Sequence, residues 1–109
     1  MTQISRITKI ESEFNNVWRI TTDSDLVLDI YDINKPSVGN TFEYEFASEF
    51  SSSNLTDSYV IMNGIIYLIE TANVFFSCGG FLGKVPKNQL IKENQIKDQI
   101  SIKFKIMNI

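Results

Sequence analysis

Short apolar runs with a two-residue period, cut by turn chemistry, cover this chain almost from end to end. That pattern leaves little room for anything but an all-β fold. Phe42, Tyr44 and Phe46 alternate with Thr41, Glu43 and Glu45, which puts rings on one face and carboxylates on the other. Ile100, Ile102, Phe104 and Ile106 alternate in the same way with Ser101, Lys103 and Lys105, and Leu26, Leu28 and Ile30 with Val27, Asp29 and Tyr31. Val17 to Thr22, Ser58 to Met62, Ile65 to Glu70, Val74 to Cys78 and Phe81 to Val85 bring the set to about eight, with Ile4 to Ile10 the least regular. Asn15-Asn16, Asp23-Ser24-Asp25, Asn34-Lys35-Pro36, Gly39-Asn40, Ser51 to Asp57 and Thr71-Ala72-Asn73 separate the runs with residues that favour turns. A sandwich or a closed barrel satisfies this spacing, and the barrel is preferred because closure removes exposed strand edges. Lys87 to Lys97 is a helical or irregular segment with poor apolar spacing.

Two glycine steps punctuate the most apolar stretch. Asn63-Gly64, between two β-rich runs, predicts a type I′ hairpin, since both residues tolerate positive φ. Gly79-Gly80, followed at once by Phe81-Leu82, lies inside an apolar run and predicts a bend, a bulge or a close backbone approach.

At 109 residues and 43% hydrophobic content, residues 1–109 are expected to form one domain with one core. No run reaches the roughly 20 apolar residues of a membrane span, and the opening MTQISRITKIE lacks a secretory apolar region, so an intracellular, soluble protein is expected. Cys78, the one cysteine, has no internal partner for a disulfide and reads as a small core residue. The net charge of −3 divides unevenly: residues 1–57 hold four basic and ten acidic groups, residues 58–109 six basic and three acidic. Such asymmetry makes a dipolar surface suited to orienting a partner, or simply a solvated one.

The chain contains no histidine, which removes Ser-His-Asp and Cys-His catalysis and the usual zinc sites, so no catalytic residue, metal site or cofactor is assigned. Gly79 to Lys84 resembles a phosphate loop only superficially, because its glycine spacing is short and Val85 stands where Ser or Thr should bind magnesium. Asp23, Asp25, Asp29 and Asp32 read as a solvated acidic edge, with a cation site as the alternative. The sequon Asn54-Leu55-Thr56 reads as accidental. Single-strand nucleic-acid binding remains an alternative function. Trp18, Tyr31, Tyr59, Tyr67, Phe75, Phe76 and Phe81 could stack bases, and Lys84, Lys87, Lys103 and Lys105 could track phosphates, unless most of the rings are core.

The pattern YVIMNGIIYLIE, a short spacer, then VFFSCGGFLGKV resembles the signature of the small common subunit shared by nuclear RNA polymerases I, II and III, a family with a shorter counterpart in some archaeal RNA polymerases. Upstream, FNNVWRI at Phe14 to Ile20 and DLVLDIYDI, Pro36, Val38-Gly39 and an aromatic strand ending FAS follow that family's order. The resemblance implies an eight-stranded antiparallel barrel of OB-like topology. It also implies a non-catalytic subunit docked on the largest polymerase subunit and its neighbours, in the nucleus (the cytoplasm for an archaeal source), with no membrane and little or no nucleic-acid contact of its own. Eukaryotic members carry an extended loop where this chain has only Ser51 to Asp57. Beside the resemblance, Gly79 and Gly80 at a bent strand would present Phe81, Leu82 and Lys84 to a partner, although tight packing at a barrel corner also selects glycine.

Overall fold

A computed structural model describes residues 2–50, 59–90 and 93–107. The period-2 runs become β1 (Gln3–Phe14), β2 (Val17–Thr22), β3 (Val27–Tyr31), β4 (Thr41–Ala47), β5 (Val60–Ile69), β6 (Asn73–Cys78), β7 (Phe81–Pro86) and β8 (Gln99–Met107). They close into an antiparallel barrel in the order β1-β2-β3-β7-β6-β5-β8-β4. Lys87–Gln89 is a single 3₁₀ turn, and the described residues from 93 to 97 are not helical. The loop Ser51 to Asp57, with its sequon, lies outside the described residues.

The irregularity of Ile4 to Ile10 has a cause. β1 pairs with β4 through Gln3 to Arg6 and with β2 from Ile7 onward, with a register shift between Ile7 and Lys9. The extra residue bends the strand, so Ile7 and Ile10, three apart, both pack on the core. A long first strand serving two neighbours is the OB-like element of this barrel.

The interior is aromatic. Phe42, Tyr44 and Phe46 all point inward from β4, as their alternation requires, and Phe104 and Phe76 complete a column of rings with centroids 5.2–5.8 Å apart. Phe76 needs a partner without a side chain: it pairs with Gly83, where a Cβ would sit 2.2 Å from the ring. Ile20, Leu28, Ile66, Val85 and Ile102 fill the rest at essentially zero exposure. A methylene buried here contributes about 0.8 kcal/mol.

A polar cluster plugs one end. Ser5 donates to Ser24 Oγ at 2.6 Å, and Tyr44 donates to Gln89 Oε1. Because the Tyr44 proton is committed to Gln89, the 2.7 Å contact between Ser24 and Tyr44 must have the serine as donor. Gln89 Nε2 closes the circuit on the Ser24 carbonyl at 2.6 Å. A tyrosine otherwise buried in an apolar barrel is thereby satisfied, and no buried side-chain N or O among the described residues lacks a partner.

The two glycine steps exchange the roles expected of them. Asn63-Gly64 is no turn: both residues lie within β5, paired with Ser101 and Ile100 of β8, and the runs on either side are one continuous strand. Gly64 is there for clearance, since a Cβ would meet Cys78 Sγ at 2.6 Å and the Ser77 carbonyl oxygen at 2.7 Å. Gly79-Gly80 is the turn, with φ of +63° and +101°, and it joins β6 to β7 with Cys78 paired to Phe81.

Candidate docking surface

The β6–β7 hairpin is symmetric about its glycines, so the residues facing outward can be counted from the turn. Ser77 pairs with Leu82 and Phe75 with Lys84. β5 adds Ile65 opposite Ser77 and, across a bulge, Tyr67 and Leu68 near Phe75. β3 adds Val27 opposite Lys84. Two adjacent rows result on the outer wall. One runs Tyr67, Phe75, Lys84, Val27; the other runs Ile65, Ser77, Leu82, Asp29, Arg19. Between them, on the β3 side, lies a groove of about 220 Å³ lined by Val27, Tyr67, Phe75 and Leu82, with Arg19 and Lys84 among its polar residues. Ile65, Tyr67, Leu68 and Leu82 are 39–52% exposed, a high value for large apolar side chains lying side by side on a single wall.

Beneath this surface the barrel seam is thin. β3 and β7 share only two residue pairs, Val27 with Lys84 and Leu28 with Gly83. Where the ladder should continue, the Asp29 carboxylate accepts from the Leu82 backbone N–H at 3.0 Å. Asp29 also takes the Arg19 guanidinium in a bidentate pair, Nε to Oδ1 at 2.8 Å and Nη2 to Oδ2 at 3.1 Å. Its side chain is 7% exposed against 33% for Arg19. The pair is therefore a structural clasp that holds Leu82 in place, since a buried carboxylate tolerates burial only when its lone pairs are satisfied.

Of the acidic edge expected from Asp23, Asp25, Asp29 and Asp32, Asp23 and Asp25 are exposed as a solvated edge requires, and Asp29 is the exception. Asp29 is buried in the clasp, Asp23 accepts from the Arg6 backbone N–H, and Asp32 accepts from the Asn34 backbone N–H. No group of three metal-ligating side chains forms among the described residues. The glycine-rich segment continues as strand β7, so the strand-loop-helix context of a phosphate loop is absent there.

Of the residues expected at a partner surface, Leu82 and Lys84 stand on the outer wall, Gly79 and Gly80 are exposed in the turn, and Phe81 is half-buried against the barrel. Tyr67 and Phe75, considered in the sequence only as base-stacking rings, join Leu82 here, with centroids 6.4 Å apart. Lys84 and Lys87 of that set lie beside them, whereas most of its other members are dispersed. Phe76 is core, Trp18 donates to the Asp32 carbonyl, and Lys103 and Lys105 lie over Tyr59 on another wall. The Arg19–Asp29 pair escaped sequence reasoning, although both residues are five positions from Ser24 and so face each other across a hairpin turning there.

Cys78 lies behind this wall, its sulfur over Gly64. Burial pushes its thiol up to about 11, which keeps it protonated and unreactive at neutral pH.

Comparison with protein-family models and with curated proteins finds no match to this chain.

Proposed function

We propose that this chain is a non-catalytic structural subunit of a multisubunit DNA-directed RNA polymerase, docking on the largest subunit and supporting assembly for transcription in the nucleus, or in the cytoplasm for an archaeal source. The observation that carries the reading is the apolar outer wall of β5, β6 and β7, where Ile65, Tyr67, Leu68 and Leu82 are left exposed beside the Gly79-Gly80 turn. Exposed rings and branched aliphatics on a preformed sheet supply the anchors of a permanent interface at small ordering cost. The eight-stranded barrel supports the reading because it is the fold that the resemblance implies. The missing histidine agrees with a chain that does no chemistry itself.

The test is recovery of polymerase subunits on the tagged full chain expressed in its native cells. Leu82→Asp, which places a charge on the wall without touching the core, is expected to reduce recovery of the largest subunit at least tenfold, with Phe81→Asp and Gly80→Val also lowering it. Undiminished recovery by a Leu82→Asp chain of wild-type circular dichroism would overturn the assignment of this wall.

A further inference from the structure

The wall carries an unbalanced charge as well as apolar surface. Lys84 stands between Phe75 and Val27 in the apolar row with no ion-pair partner among the described residues, whereas Arg19 nearby is engaged with Asp29. Lys87, exposed on the 3₁₀ turn after β7, lines the adjoining hollow together with Lys84 and Asp25. A partner that covers Tyr67, Phe75 and Leu82 also covers part of Lys84, and a desolvated lysine requires an acceptor.

We infer that the groove receives an extended segment of the partner that crosses the strands, placing an apolar side chain over Tyr67 and Phe75 and a carboxylate on Lys84. This rests on the docking role proposed above. The spacing follows from sheet geometry. An anchor between Tyr67 on β5 and Phe75 on β6 stands one and a half strand steps, about 7 Å, from Lys84 on β7, and an extended chain advances about 3.3–3.6 Å per residue. The acidic residue therefore stands about two positions from the apolar anchor, on the same face of the extended segment. A polynucleotide fits less well: Leu82 and Ile65 offer no stacking face beside Tyr67 and Phe75, and Lys84 is the one lysine lining the groove among the described residues.

The experiment places a photo-crosslinking p-benzoylphenylalanine at position 67 and, separately, at position 82 of the full-length tagged chain in native cells, with the crosslinked peptides read by mass spectrometry. Both positions are expected to mark one contiguous stretch of the largest polymerase subunit, with an Asp or Glu about two residues from an apolar one. Lys84→Glu is expected to lower recovery of that subunit about tenfold or more, as loss of one charge-assisted contact does. Replacing the marked acid by Lys should restore it. Crosslinks to two separate elements, to a stretch without an acid or to nucleic acid overturn this inference, and so does full recovery with Lys84→Glu, while the docking role stands as long as Leu82→Asp still abolishes recovery. Failure to recover any polymerase subunit with the wild-type chain overturns both.

Discussion

Two outer walls of one barrel solve the same problem in opposite ways. On the β4–β8 wall, Glu43 pairs with Lys105 and Glu45 with Lys103 across the ladder. Lys103 Nζ reaches Glu45 at 3.7 Å and lies 5.2 Å from the ring centres of both Phe50 and Tyr59, while Lys105 lies 4.7 Å from that of Tyr59. Tyr59 donates to Glu43, and that hydrogen bond raises its phenol above the ordinary value. These four charges are answered within the chain. On the β5–β7 wall the Arg19–Asp29 ion pair is consumed in closing the seam, and beside it stand apolar surface and Lys84, which has no ion-pair partner among the described residues. The difference teaches that a wall which neutralises itself has little to offer a partner. A wall that places its charge pair inside leaves its anchors free.

The comparison breaks most visibly at the clasp. Arg19→Met, which strands the buried Asp29, is expected to lower stability by about 3 kcal/mol in urea unfolding. Arg19→Met combined with Asp29→Leu also removes the acceptor of the Leu82 N–H and should stay at least as unstable; a double variant that regains most of the loss would mean that the pair does not hold the seam. Next comes Gly64→Ala, in the strand the two walls share. Its methyl collides with Cys78 Sγ and the Ser77 carbonyl, with an expected cost of about 2 kcal/mol by the same measurement. On the self-paired wall, Lys103→Gln should cost less than about 1 kcal/mol and leave polymerase recovery unchanged, because partly exposed ion pairs contribute little. A larger effect on recovery would place the interface on that wall instead.

The smallest effect concerns Cys78. Its thiol should react with iodoacetamide far more slowly in the native chain than in urea at pH 8. Its unfolded thiol ionises near 9 and its folded thiol at about 11. The folded pKa is the higher of the two, so its contribution to stability is fully present below about pH 9 and is lost as pH rises through about 11. The urea midpoint of the wild type should therefore fall more over that range than that of Cys78→Ala.

Several features were legible before any coordinates. The alternation of Phe42, Tyr44 and Phe46 with two glutamates names the inner and outer faces of β4 without reference to any neighbour. The hairpin partners of β6 and β7 follow by counting once the turn is known. What misled was the choice of turn. Asn63-Gly64 carries the stronger local hairpin signal, yet its backbone is held straight by the β8 ladder on one side and by the approach of Cys78 on the other. Gly79-Gly80 takes the positive φ angles because the β5–β6 and β3–β7 pairings leave the chain nowhere else to reverse. The docking wall was half legible. Leu82 and Lys84 came from the glycine step and the resemblance, but Tyr67 reaches the same wall through a bulge, whose added residue shifts the facing pattern in a way periodicity cannot register.

The sequence alone determined the strand content, the face on which each regular strand buries its side chains and the number of strands to within one, because these depend on a two-residue period that the backbone imposes locally. Tertiary structure decided which glycine step turns, that Asp29 is buried rather than solvated, and that apolar residues from β5, β6 and β7 meet beside Lys84. Those outcomes depend on which strands become neighbours when the barrel closes, and a closure that joins residues 29 and 82 across more than fifty positions leaves no trace in local spacing.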